Sequence, residues 1–142
     1  MRQIVRSIGA LVVFGVLLGN QAHGQVVIDI DVKPGSDANV INYKSQGKIP
    51  VALLCNAVSN PANIQQATIS LCATSATIPC LPNAQDCDFR DVNHDGCADL
   101  VCHVPISSLQ LQCGETSLTL TAVWKAGAHL SAADTVTVVP CP

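Results

Sequence analysis

Eight cysteines, Cys55, Cys72, Cys80, Cys87, Cys97, Cys102, Cys113 and Cys141, all fall after residue 54 of a 142-residue chain. Ahead of them lies the layout of an export signal. Arg2 and Arg6 precede an apolar run from Ile8 to Leu18, and Ala22-His23-Gly24 place small residues before Gln25. Residues 1–24 are therefore expected to be a cleaved signal peptide, since the apolar run is short of the about 20 residues that span a bilayer. An even cysteine count in a short exported chain reads as a framework of up to four disulfides. Zinc is the competing use, with Cys97, Cys102 and His103 as conceivable ligands. It is disfavoured because there is no C-x-x-C pair and an oxidising compartment removes free thiolates.

Cleavage after Gly24 leaves 118 of the 142 residues, enough for one domain with one core, residues 25–142. Arg2 and Arg6 leave with the leader, so seven basic residues become five against ten acidic ones, a net charge of −5. Without a basic patch, and with Tyr43, Phe89 and Trp124 as the remaining aromatics, nucleic-acid binding is not expected. Nor is a membrane span in the mature chain.

The patterning is that of short strands. Residues 26–32 alternate, with Ile28, Ile30 and Val32 expected inward and Asp29 and Asp31 outward. That outer face reads as solvated, with a second cation site as the lesser reading. Residues 49–55 are apolar on both faces, as in a central strand, and Pro50 sits near the start where a missing donor is tolerated. Further strands are expected at 67–72, 98–104, 116–124 and 135–139, with Leu118, Leu120, Ala122 and Trp124 on one face. Residues 73–90 read as the least regular part, ordered by disulfides rather than by apolar packing. No amphipathic helix is evident. The expectation is an all-β fold, an antiparallel β-sandwich of about six to seven strands with an irregular disulfide-rich loop region. Cys55 and Cys102 fall on the apolar phase of two central strands, which makes them a candidate pair. Cys72, Cys80, Cys87 and Cys97 cannot be ordered, and buried free thiols remain open.

Between two of these strands lies Asp91-Val92-Asn93-His94-Asp95-Gly96-Cys97-Ala98-Asp99, a D-x-N-x-D-G-x-x-D spacing. Hard divalent cations take oxygen ligands, and in loops of this spacing positions 1, 3, 5 and 9 supply side-chain oxygens. Here these are Asp91, Asn93, Asp95 and Asp99, with the backbone carbonyl of Cys97 at position 7 and Gly96 permitting the sharp turn. Position 12 is Cys102 rather than the Glu of helix-loop-helix sites. The loop is similar to the loop-into-strand sites of integrin propellers and thrombospondin type 3 repeats, which implies a structural Ca2+. A disulfide at Cys97 would hold the loop carbonyl in place, and Asp86 or Asp88 could add an oxygen to the cation.

The order Ile28-Asp29-Ile30-Asp31-Val32-Lys33-Pro34-Gly35-Ser36, Ile49-Pro50-Val51-Ala52-Leu53-Leu54, Asp91 to His103, and Cys113-Gly114-Glu115-Thr116 resembles a family of exported bacterial domains for which no reaction is known. Its members read I-D-I-K-P-G-S, I-P-V-A-I-L, D-V-D-G-D-G-x-x-D-L-V-x-H-F and C-G-D-T, and the likeness runs over nearly all of residues 26–141. The resemblance implies a secreted immunoglobulin-like sandwich, calcium ligands at Asp91, Asn93, Asp95 and Asp99, and a disulfide between Cys113 and Cys141.

Three functions are compatible with these observations. The first is a non-catalytic, calcium-stabilised structural or adhesive module with a protein or glycan partner at the cell surface, released or held in the periplasm. The second is a carbohydrate-binding module using the ion or an exposed aromatic, Tyr43 or Trp124. The third, a small hydrolase, is least favoured. G-x-S-x-G and H-E-x-x-H are absent, and His94, His103 and His129 have no partner recognisable from sequence.

Overall fold

The computed structural model describes residues 27–142, so the expected leader lies outside the described residues. The chain is all-β, with nine strands and three single 3-10 turns among the described residues. The strands are β1 (Asp29–Val32), β2 (Val40–Asn42), β3 (Lys48–Leu54), β4 (Ser70–Ala73), β5 (Gln85–Arg90), β6 (Asp99–Pro105), β7 (Ser117–Val123), β8 (His129–Thr135) and β9 (Thr137–Val139). One antiparallel sheet has the order β1-β3-β6-β5, and a second has β4-β7-β8. β2 and β9 form a separate parallel pair, a departure from the all-antiparallel expectation.

The inward phase of both sheets is apolar and feeds one core. Ile30 and Val32 of β1, Val51 and Leu53 of β3, and Leu100 and Val104 of β6 meet Leu71 of β4, Leu118 and Leu120 of β7, and Leu130 of β8. The result is a sandwich-like arrangement. β3 is central, as its two apolar faces require, with Ala52 buried on the opposite face from Val51 and Leu53. Trp124, just past β7, keeps the apolar phase of that strand and is buried.

The expectation of six to seven strands is corrected to nine, and each added strand is one that apolar alternation does not mark. β2 carries a single buried apolar residue, Ile41. β5 has no buried residue at all. β8 places Leu130, Ala132 and Asp134 on its inward phase, so its pattern is broken by a small residue and an acid. Asp134 accounts for this. Its Oδ2 accepts the backbone N–H of Val32 at 2.8 Å and the Nδ2 of Asn39 at 3.2 Å, fastening β8 to the free edge of β1.

All eight cysteines are paired: Cys55–Cys97, Cys72–Cys80, Cys87–Cys102 and Cys113–Cys141. The Cys113–Cys141 pair is the one the resemblance implied. The expected Cys55–Cys102 pair is corrected by register. Cys102 lies opposite Val51, four residues before Cys55. At about 3.3 Å per residue that is roughly 13 Å along the strand, beyond the reach of a disulfide. Cys102 instead bonds Cys87 on the neighbouring strand β5, with Cα atoms 4.0 Å apart.

Candidate functional site

The acidic turn joins two hydrogen-bonded neighbours, β5 and β6, and its sequence curls it tightly. Asp91, directly after β5, accepts the N–H of Asp95 on Oδ1 at 3.1 Å and of Gly96 on Oδ2 at 2.8 Å. Asp95 Oδ1 accepts the N–H of Cys97 at 2.9 Å. His94 and Gly96 adopt φ of 60° and 87°. A Cβ on Gly96 would touch nothing within 4 Å, so glycine is required there by backbone conformation and not by space. The amide donors hold the Asp91 carboxyl below the ordinary carboxylate range, the N–H of Gly96 contributing most, those of Asp95 and His94 adding to it, and desolvation opposing them.

Two anchors fasten this turn to the sheet. The Cys97–Cys55 disulfide ties it to the residue that follows β3. Asp99, with no solvent exposure, accepts the N–H of Cys55 on Oδ1 at 2.7 Å and of Val92 on Oδ2 at 2.9 Å. One side chain thus bridges the start of β6, the end of β3 and the start of the turn. Sequence spacing marks Asp99 as an oxygen donor, and nothing in it signals this strap.

The turn carries the donor set of a hard-cation loop: the side chains of Asp91, Asn93, Asp95 and Asp99 and the carbonyl of Cys97. Each carboxylate oxygen has two lone pairs. Those of Asp91 spend one each on an amide, Asp95 spends one on Oδ1 alone, and exposed Asn93 makes no side-chain hydrogen bond among the described residues. Asp91, Asn93 and Asp95 thus keep free lone pairs on oxygens of the kind a hard cation takes, while both carboxylate oxygens of buried Asp99 are engaged by backbone amides. Among the described residues, no three His, Cys, Asp or Glu side chains are gathered closely enough to hold a metal ion.

Other expected contributors are engaged elsewhere. Asp86 pairs with Lys48 and Asp88 with Arg90, each at 3.1 Å, so both face the outside of β5. Cys97 and Cys102 are in disulfides and have no thiolate to offer zinc, and His103 Nδ1 sits 3.4 Å from the carbonyl oxygen of Asp86. Asp29 is exposed. Asp31 is half-buried, and its carboxyl is pushed above the ordinary range by desolvation, then by the charges of Asp134 and Asp37. The hub of Asn39 and Asp134 beside it is invisible to a search for motifs, because its members are 95 residues apart.

An open surface cavity of about 370 Å³ adjoins the turn and includes Arg90, Asp91 and His94 in its lining. No family model, curated protein or solved structure matches the chain. No helix among the described residues is long and apolar enough to cross a membrane.

Proposed function

We propose that this chain is a secreted, non-catalytic, calcium-stabilised module with an immunoglobulin-like sandwich topology, serving a structural or adhesive role at or outside the cell envelope. The reading rests chiefly on how the acidic turn is fastened. The turn is bonded to the end of β3 through Cys97 and Asp99, which supports a bracing role over a moving one. Asp91, Asn93, Asp95, Asp99 and the Cys97 carbonyl would hold the ion once drawn together, and it would neutralise the acids of the turn and brace the β5–β6 corner. The four disulfides support an oxidising destination, in keeping with the leader read from residues 1–24. A protein role without chemistry is supported by His103 facing a backbone carbonyl and by the exposure of His94 and His129.

The test is thermal melting of the oxidised protein in calcium and after chelation. A ligand bound only by the folded state at about 100 times its Kd adds roughly 2.7 kcal/mol, or on the order of 10 °C for a domain of this size. Asp95→Ala should abolish the difference. Equal melting temperatures with and without calcium would remove the ion from the account.

The cavity beside the turn favours a second reading, a glycan-binding module in which Arg90 and His94 meet a sugar bridged to the ion. A glycan array probed in calcium and in chelator separates the two, since a structural module gives no calcium-dependent signal.

A further inference from the structure

β5 is the last strand of its sheet, and nothing among the described residues bonds to its outer edge. The edges of β1 and β4 are closed by side chains. Asp134 Oδ2 accepts Val32 N, and Asn83 takes both Leu71 N and Leu71 O, each bond at 2.8 Å. The ladder shows which groups of β5 face outward, because alternate residues of an antiparallel strand turn both backbone groups to the same neighbour. Ile106 N donates to Gly47 O at 2.9 Å, in the register that also bonds Val104 to Ile49, Cys102 to Val51 and Leu100 to Leu53. Asp99 and Val101 therefore turn toward β5, opposite Arg90 and Asp88. Phe89, between those two, aims its N–H and C=O away from β6 along the free edge.

The side chains of this stretch carry a pattern of their own. Asp88 and Arg90 share the outer face, Arg90 Nε 3.1 Å from Asp88 Oδ2, and each side chain is 55% exposed. Phe89 lies on the other face, across from buried Leu100, and is 45% exposed. Free edges are ordinarily guarded by bulges and by charge. β5 has a bulge between Gln85 and Asp88, with Asp86 at φ 51°, which limits the regular edge to residues 87–91. Within that length the charges alternate in sign, so they do not guard it against an identical strand. Outward residues must meet outward residues, which leaves few registers for an antiparallel copy. With Phe89 opposite Phe89, Asp88 of each copy faces Arg90 of the other. Setting residue 87 opposite 89 instead places Asp88 against Asp88, and setting 89 opposite 91 places Arg90 against Arg90. Like charges directly opposite are destabilising, so the Phe89-centred register is the one selected.

We propose that β5 pairs antiparallel with β5 of a second copy of this chain about a two-fold axis at Phe89, joining two four-stranded sheets into one. The two Phe89 residues exchange N–H···O=C bonds. Asp88 and Arg90 of both copies then alternate in sign around a square on one face, at the narrow spacing of about 4.5 Å between Cα atoms of non-hydrogen-bonded pairs. On the other face the two Phe89 rings come together and leave water. The contact is isologous and closes at two copies. Five residues a side bury less than the roughly 1,200 Å² of a stable complex, so the dimer is weak and depends on concentration. The proposal draws on β5 alone and holds whether or not the acidic turn takes an ion.

The test is sedimentation equilibrium of the oxidised protein up to about 1 mM, where even weak association is populated. Expected is a reversible monomer–dimer equilibrium. Arg90→Asp turns two opposite-charge pairs into like-charge pairs and should weaken the dimer about tenfold or more. Adding Asp88→Arg in the same chain exchanges the signs and should restore it. Phe89→Pro removes an N–H that β6 does not use, so it should abolish the dimer and leave the fold in place. If that variant fails to fold, the two charge variants, at exposed positions, carry the test alone. The proposal is overturned if the protein stays monomeric throughout, which would leave the edge to a strand of another protein, or if it assembles beyond two copies. A dimer indifferent to Arg90→Asp would use another face and overturn it as well. So would an Asp88→Arg, Arg90→Asp chain that melts like the wild type yet remains monomeric.

Discussion

Asp31 and Asp91 are both strand-end carboxyls, yet their surroundings push them in opposite directions. Asp31 is half-buried beside Asp134 and Asp37, and its proton is held more tightly in the folded chain than in the unfolded one. The folded state then binds more protons, so stability falls as pH rises upward from the ordinary 3.8. Asp91 is stabilised as the anion by the amides of Gly96, Asp95 and His94, so its contribution is present above 3.8 and is lost as pH falls through its depressed value. The neutral side chain of Asp31→Asn removes the first effect and leaves the second. The variant should be more stable than the wild type at pH 7, by about 0.5 kcal/mol as for other surface changes, and indistinguishable from it near pH 3. Urea melts at the two pH values measure this; equal or lower stability of Asp31→Asn at pH 7 would mean that the repulsion among these three acids is already relieved.

At the scale of the strand, what could be read from sequence followed apolar alternation and little else. β1, β3, β6 and β7 each bury a regular apolar phase, and their places were legible to within a few residues. β5 was not, because it is held by a disulfide and by ion pairs to Lys48 and within its own strand rather than by burial. β8 was hidden by Asp134, whose value lies in two hydrogen bonds across the sandwich edge. The same limit applies to the site. Spacing located the acidic turn and named Asp91, Asn93 and Asp95, but the strap made by Asp99 depends on where Cys55 arrives, which is a matter of register. The Cys55–Cys102 expectation failed for the same reason, whereas the Cys113–Cys141 pair is the one found. The bridges themselves differ in reach: Cys55–Cys97 spans 42 residues and Cys72–Cys80 spans 8. Loop-closure entropy makes the first worth about 4 kcal/mol and the second about 2.5. Replacing each pair by alanines should therefore lower urea stability in that order. A reversed order would show that the longer bridge works mainly by shaping the acidic turn rather than by restraining the unfolded chain.

Across the whole molecule, the placement of the bridges decides what holds the two sheets together. Cys55–Cys97 and Cys87–Cys102 both lie within or at the end of the β1-β3-β6-β5 sheet. Cys72–Cys80 joins β4 to the loop that follows it, and Cys113–Cys141 joins the segment before β7 to the tail after β9. None links a strand of the β1-β3-β6-β5 sheet to a strand of the β4-β7-β8 sheet. The disulfides and the acidic turn fix rims and edges, and the face-to-face contact rests on packing, with the Asp134 bonds closing one side. Leu120 sits at the centre of that contact, fully buried on β7 opposite Leu71 of β4. Leu120→Ala deletes packing that no cross-link can replace, so it should cost about 3–4 kcal/mol even with all four bridges intact. Urea denaturation of the oxidised variant, with native-state hydrogen exchange beside it, checks the claim. Protection should fall together in β3, β6 and β7, because separation of the sheets exposes both inner faces at once. A cost below about 1 kcal/mol would show that the cross-linked rims carry the sandwich without its core.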